Sequence, residues 1–171
     1  MSDRQAASQA TTSKIQIKRH YPVKAEKIWE LWTTAKGIER WWAPDGFKVD
    51  VQKLELRPGG PLVYTMTATE PPQIEFMKQA GMPLTTESRK TFTEVVPPSR
   101  LAYLSLADFI PGVKPYEFLT VVDFEPKPEG VDVTMTVDRM HDEEWTRRLQ
   151  MGRENEMDNL AKVVGRSAST T

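Results

Sequence analysis

The residues of this chain best suited to acid–base chemistry lie near its end. His141 stands between Asp138 and Asp142, and a histidine beside carboxylates can act as a general acid or base. Glu94 and Tyr103 lie in predicted strands and could also move a proton. A solvated helix start accounts for the histidine more simply. We therefore regard His141, Asp138 and Glu94 as weak catalytic candidates only.

Other catalytic and metal-binding patterns are missing from the sequence. The chain has two histidines and no cysteine, and His20 has no evident partner, so the spacing of a zinc site is lacking. No nucleophile motif, phosphate-binding loop or dinucleotide fingerprint is present. In the segment RPGG at 57–60, proline at the second position and glycine at the third predict a type II hairpin turn. It is not a phosphate-binding loop, since no helix follows it. We predict neither a metal nor a cofactor.

The aromatic residues point to binding instead. Trp29, Trp32, Trp41 and Trp42 fall within one short segment, and only Trp145 lies elsewhere. Trp29 and Trp32 sit at helical spacing and are expected to pack in the core. Trp41 and Trp42 are adjacent and cannot both face one way on a helix. They are the tryptophans of the cluster that we expect a ligand to contact.

Composition narrows the class of partner. The 23 basic and 24 acidic residues nearly balance, which leaves no basic field for nucleic acid or a membrane surface. No apolar run approaches the roughly 18 residues of a membrane span, and the start does not resemble a signal peptide. The lack of cysteine fits a reducing compartment. We expect a cytoplasmic protein with a small-molecule or protein partner, and a homodimer stays open.

The elements that must position these residues follow from hydrophobic periodicity. Strands are predicted over residues 14–21, 47–56, 61–68, 86–96, 101–107, 116–126 and 131–137. Helices are predicted over about 23–34, 38–42, 72–80 and 142–164. Gly37 is expected to end the first helix, and Asp142 to cap the last one. Consecutive strands joined by short turns indicate an antiparallel meander.

This order predicts an α+β fold: a curved antiparallel sheet of about six to seven strands around a long C-terminal helix, with two short helices after the first strand. One domain covers 14–165, with a lid-like helix inserted at about 72–80. The polar segments 1–13 and 166–171 lack periodicity and are expected to be disordered.

A space between sheet and helix would be lined by apolar and aromatic side chains. Tyrosine hydroxyls could anchor a polar group there, and flexible methionines suit varied apolar ligands. The expected ligand-binding residues are Trp41, Trp42, Tyr64, Met66, Phe76, Met77, Phe92, Tyr103, Phe118, Met135 and Trp145.

Several motifs in the same order resemble the START-like (SRPBCC, helix-grip) superfamily. They are Pro22, Ile28–Trp29, GIERWW at 37–42, RPGG at 57–60, EVVPPSRL at 94–101 and GRENEMDNLAKV at 152–163. Within that superfamily the chain is similar to the activator of heat-shock protein 90 ATPase homologue-like family. That family often has a tryptophan in the last helix where this chain has Arg153.

The resemblance implies a Bet v-like helix-grip fold with an apolar cavity, and three functions follow. The first is binding of a small apolar molecule, such as a lipid or an aromatic metabolite, without catalysis. The second is a co-chaperone-like protein of the stress response that stimulates a heat-shock protein 90 ATPase. The third is a cavity enzyme of the cyclase or hydrolase type, in which at least two of the acid–base candidates must share one pocket.

Overall fold

A seven-stranded antiparallel sheet forms the body of the molecule. The computed structural model describes residues 14–108 and 110–169. The strands are β1 (Ile15–Tyr21), β2 (Phe47–Leu54), β3 (Pro61–Ala68), β4 (Thr85–Val96), β5 (Arg100–Ala107), β6 (Tyr116–Lys127) and β7 (Gly130–Val137). Their order across the sheet is β1-β7-β6-β5-β4-β3-β2. Strands β2 to β7 therefore form the predicted meander, and β1 pairs with β7 to become an edge strand of the sheet.

Four helices accompany the sheet. They are α1 (Ala25–Thr33), α2 (Ala35–Trp41), α3 (Pro71–Gln79) and α4 (Glu143–Ser169). The α+β class, the two short helices after the first strand and the long final helix are as predicted. Helix α4 continues beyond residue 164 into the segment expected to be a tail. The expectations for 1–13 and for 170–171 lie outside the described residues.

The junction of α1 and α2 differs from the prediction that Gly37 ends the first helix. The break lies at Thr34, whose side-chain oxygen accepts from the backbone nitrogen of Gly37 at 3.1 Å and so caps α2. Gly37 lies inside α2, where a Cβ atom would come within 2.7 Å of the backbone of Glu30 and Leu31. The glycine thus permits close packing of the two helices.

Aromatic rings join α1 and α2 to the sheet. The ring centroids of Trp32 and Trp41 lie 4.6 Å apart, and those of Trp32 and Phe124 lie 5.5 Å apart. The indole nitrogen of Trp41 donates to the carbonyl of Leu31 at 2.7 Å. Trp29 is partly buried against Phe124. Edge-on packing of this kind fixes the helices at one end of the sheet.

The long helix begins as predicted. The carboxylate of Asp142 accepts from the backbone nitrogen of Trp145 at 2.8 Å, which is an N-cap contact. The RPGG turn also forms, with Gly59 at a φ of 82°, the left-handed conformation required at the third position of a type II turn. Within the described residues, no helix combines the length and apolar content needed to cross a membrane.

Candidate ligand-binding site

Helix α4 packs against the rest of the molecule mainly through its C-terminal half. Met157, Leu160 and Val164 are buried there, and the helix contacts β1 and α2. The N-terminal half packs more loosely, with Trp145 and Leu149 only partly buried. Gly152 lies near these two side chains on the helix, and a Cβ atom at this position would meet nothing within 4 Å. Gly152 is itself exposed, so this flank of α4 faces solvent.

A cavity of about 600 Å³ lies at this end of the molecule. It is bounded by the residues after α3, by β4, by the end of β5 and its following loop, and by the start of α4. The lining residues are Ala80, Met82, Thr86, Glu87, Ser88, Arg89, Leu106, Asp108, Pro111 and Trp145. Met82, Leu106, Pro111 and Trp145 give it an apolar part, and the β4 side chains give it a polar part.

Lys90 lies two residues beyond Ser88 on the same face of β4. Its ammonium donates to the hydroxyl oxygen of Ser105 on β5 at 2.9 Å. The same nitrogen lies 5.4 to 5.9 Å from the ring centroids of Tyr103, Tyr64 and Trp42. A cation surrounded by aromatic faces in this way gains electrostatic stabilisation without a carboxylate.

Arg153 approaches the same region from α4. It is only 5% exposed. One guanidinium nitrogen donates to the hydroxyl of Tyr103 at 3.1 Å and lies 3.9 Å from the sulfur of Met135. Within the described part of the chain, no carboxylate lies within ion-pair distance of Arg153 or Lys90, although Glu156 stands one helical turn from Arg153. We call Lys90, Ser105, Tyr103, Arg153 and Glu156 the interior polar cluster.

Burial and mutual charge set the protonation of this cluster. Burial, reinforced by the charge of Arg153, lowers the pKa of Lys90 to about 7. Burial also raises the pKa of Glu156, against the opposing effect of the two cations. One oxygen of Glu156 is buried and accepts no hydrogen bond from the described residues. The cluster thus holds ionisable groups whose charge depends on what else enters the interior.

Most of the expected ligand-binding residues form the walls around this cluster. Trp42, Tyr64, Phe92, Tyr103, Phe118 and Met135 are buried on the inner side of the sheet and α2. Trp41 and Trp42 are each 2% exposed, so neither faces solvent. Their roles still differ: Trp41 packs against Trp32, while Trp42 approaches Tyr64 and Tyr103. Trp145 is the one residue of the expected set that lines the cavity itself.

The remaining expected residues lie at the edge of the site. Met66, on the inner face of β3, is partly buried against the core. In α3, Met77 is buried whereas Phe76 is 65% exposed, so the two predicted lid residues point in different directions. The end of α3 nevertheless reaches the cavity rim, because Ala80 and Met82 line it.

The acid–base candidates are dispersed. Glu94 binds Arg100 at 2.6 Å on the far side of a β-bulge between Phe92 and Glu94, which turns this carboxylate outward. Asp138 forms an ion pair with Lys14.

The ring of His141 lies 2.9 Å from the hydroxyl of Tyr116. None of Glu94, Asp138 and His141 is among the described residues that line the cavity.

Sequence reasoning did not identify Lys90, Ser105 and Glu156 as site residues. Arg153 was noted only as a departure from a family pattern. A signal exists for α4, because Arg153 lies four residues before the buried Met157 and therefore interrupts an apolar stripe. No comparable signal exists for Lys90, because both faces of the first half of β4 carry polar residues.

The comparisons with known proteins agree with this fold. A protein from Chromobacterium violaceum has 19% identity and a TM-score of 0.73, covering 90% of this chain and 97% of that one. The AHSA1-like protein from Aeromonas hydrophila has 24% identity and a TM-score of 0.70, covering 91% and 94%. A protein from Nitrosomonas europaea has 21% identity and a TM-score of 0.68, covering 92% and 97%. At these identities the likeness shows the fold alone.

The family to which the chain belongs is identified by comparing its sequence with family models. A search among curated proteins finds no match. The family model described as "Activator of Hsp90 ATPase homolog 1-like protein" matches residues 22–165, which is most of the chain. That match and the helix-grip fold agree with the resemblance carried by the sequence motifs. The chain belongs to the Activator of Hsp90 ATPase homolog 1-like (AHSA1) family.

Proposed function

We propose that this protein binds a small, largely apolar molecule between β4, β5 and the N-terminal half of α4. The observation that carries the proposal is the cavity of about 600 Å³ with its mixed lining. Its volume lies within the range of about 300 to 1,000 Å³ that is typical of small-molecule sites. Such sites are mostly apolar with a few polar groups, which is the combination found here.

The way α4 is held supports the same proposal. Its C-terminal half is anchored by buried residues and by Asn159, whose side chain donates to the carbonyl of Ala43 at 3.1 Å. The N-terminal half can therefore stand away from β4 and β5 without loss of the fold. The residues after α3 form a further rim through Met82, a flexible side chain that adapts to different apolar shapes.

Native mass spectrometry of the purified protein tests the proposal. We expect the protein to retain a molecule from an organic extract of its own cell. Ser88→Phe should abolish retention, because Ser88 lines the cavity and the new ring would occupy it. Thr93→Phe is the matched control, since Thr93 lies on the same strand but is exposed and does not line the cavity.

Two results would contradict the proposal. The wild-type protein could fail to take up any molecule from a broad panel of lipids and aromatic metabolites. Alternatively, Ser88→Phe could bind as well as Thr93→Phe, which would place the ligand elsewhere.

Membership of the AHSA1 family favours a second candidate, stimulation of a heat-shock protein 90 ATPase. The exposed Phe76 on α3 is an apolar residue that a protein partner could cover. The test adds the purified protein to the heat-shock protein 90 homologue of the same cell and measures the ATPase rate. An unchanged rate together with no detectable binding would exclude this function.

A further inference from the structure

We infer that the ligand carries a single carboxylate, which is bound in the interior by the guanidinium of Arg153 and the ammonium of Lys90. This inference rests on the proposed binding function and names the chemical class of the ligand. The apolar part of the molecule then lies in the cavity lined by Met82, Leu106 and Trp145.

Arg153 is a buried cation with few hydrogen-bond acceptors around it. A guanidinium has five N–H donors and no acceptor. In the described structure those donors reach one hydroxyl oxygen, that of Tyr103, and one weakly accepting sulfur, that of Met135. Arg153 is nevertheless only 5% exposed. Buried charges are ordinarily paired, so this side chain has the properties of a group that receives an anion.

Lys90 is a second interior cation without a carboxylate partner among the described residues. Its described hydrogen bond is to the neutral hydroxyl of Ser105, at 2.9 Å. The rings of Tyr103, Tyr64 and Trp42 surround it on the sheet and α2 sides. Lys90 and Arg153 both approach the ring of Tyr103, at 5.4 and 5.9 Å, from β4 and from α4 respectively. Two cations therefore meet in one region between sheet and helix.

The charge balance indicates a monoanion. Lys90 and Arg153 contribute two positive charges when protonated, and Glu156 contributes one negative charge when ionised. One carboxylate would neutralise the interior. The balance is the same when Lys90 and Glu156 are both neutral, the form that burial favours for each, because Arg153 then supplies the single positive charge; a phosphate dianion would leave excess negative charge in either case.

Neither Lys90 nor Arg153 lines the cavity, but β4 and α4 lead from the cavity to these two residues. Ser88 lines the cavity, and Lys90 follows it on the same face of the strand. On α4, Trp145 lines the cavity and Arg153 lies about two helical turns further along. A molecule lying parallel to β4 would thus place its apolar end near Trp145 and its acidic end at the cluster.

Proton uptake should accompany binding. The charged and titratable groups that face Lys90 are Arg153 and Glu156 from α4, Tyr64 from β3 and Tyr103 from β5. Burial and Arg153 lower the pKa of Lys90 to about 7. A bound carboxylate favours the charged amine, so binding above that pH should draw a proton from solvent.

The first experiment compares acids with neutral molecules of the same shape. Binding of decanoate and decanol, and of naphthalene-2-carboxylate and 2-naphthylmethanol, is measured by isothermal titration calorimetry. We expect at least one acid to bind about tenfold or more tightly than its alcohol, because hydrogen bonds to charged groups are stronger than those between neutral groups. Decyl phosphate should bind more weakly than decanoate. Equal affinities within both pairs, or preference for the phosphate, would overturn the inference.

The second experiment assigns the preference to the cluster. Arg153→Met should lose the preference for the acid, while the exposed Arg147→Met on the same helix should keep it. Retention by Arg153→Met would overturn the inference. If circular dichroism shows that Arg153→Met does not fold, the preference is measured instead with Lys90→Met, which removes the other cation of the cluster. An unreduced preference for the acid in Lys90→Met would equally overturn the inference.

These outcomes separate the two proposals. If acids and alcohols bind equally well, and Ser88→Phe blocks both, the cavity is a binding site without an acid-recognising group. If no molecule of either kind binds, and native mass spectrometry also finds none, the proposed function itself fails.

Discussion

The guanidinium of Arg153 donates to the hydroxyl of Tyr103 at 3.1 Å and thereby joins α4 to the middle of the sheet. Both residues are buried, and Tyr103 is completely so. The bond crosses a region where the helix otherwise packs loosely against β4 and β5. It therefore has two consequences: it limits how far the N-terminal half of α4 can move, and it fixes a buried cation beside Tyr103.

Tyr103→Phe is expected to destabilise the protein. The substitution keeps the buried ring but leaves a buried guanidinium without its strongest acceptor. A lost partner of a buried charged group costs about 1–3 kcal/mol of unfolding free energy. Urea unfolding followed by circular dichroism measures the difference.

Tyr116→Phe is the control for this prediction. Tyr116 also bonds through its hydroxyl, to His141, but that hydrogen bond is exposed. We expect a smaller loss, about 0.5–1 kcal/mol. A loss from Tyr103→Phe no greater than that from Tyr116→Phe would show that Arg153 finds another acceptor.

Lys90→Met is expected to change how stability depends on pH. In the folded protein the pKa of Lys90 lies near 7, whereas its ordinary value is 10.5, and the chief cause is burial. Between these values the unfolded chain binds a proton that the folded chain does not. The unfolding free energy of the wild type therefore rises with pH across this window, by up to about 1.4 kcal/mol per pH unit.

The measurement is the difference in unfolding free energy between wild type and Lys90→Met at several pH values. This difference in unfolding free energy should change in favour of the wild type as the pH rises from about 7 toward 10. The exposed Lys36→Met should give a constant difference. Parallel pH curves for wild type and Lys90→Met would contradict the prediction, because Lys90 would then titrate alike in both states.

The meander and the long helix were predictable because local chemistry specifies them. The RPGG turn with Gly59, the cap at Asp142 and the alternation in β7 each act over a few residues. The break between α1 and α2 was harder to place, since Thr34 ends one helix and caps the next. Gly37 attracted attention as a helix breaker, although its role is to allow close contact.

The interior polar cluster was not predictable in the same way. Lys90, Arg153 and Glu156 are far apart in sequence, and only the pairing of β4 with β5 under α4 brings them together. The bulge beside Phe92 has a similar effect, because simple alternation from that residue would point Glu94 inward. Charge inside a protein depends on tertiary neighbours, which hydrophobic periodicity does not reveal.

Gly37→Ala is expected to destabilise the pair of short helices. A Cβ atom would come within 2.7 Å of the carbonyl oxygen of Glu30 and of the Cα of Leu31, both in the backbone, which cannot move aside like a flexible side chain. Forcing the helices apart should cost about 1–3 kcal/mol, as overpacking of a core does. Thermal unfolding measures the loss. A neutral result would mean that α1 and α2 can separate without disturbing Trp32 and Trp41.

Gly152→Ala is expected to stabilise the protein. Glycine in a helix interior is about 0.8–1.0 kcal/mol less favourable than alanine, and the new methyl group at this position would meet no atom within 4 Å. Gly165→Ala should give a similar gain, because this glycine is likewise exposed and has equally open surroundings. Chemical unfolding of both variants measures the two gains. If Gly165→Ala stabilises and Gly152→Ala destabilises, position 152 packs against a neighbouring element and does not face solvent.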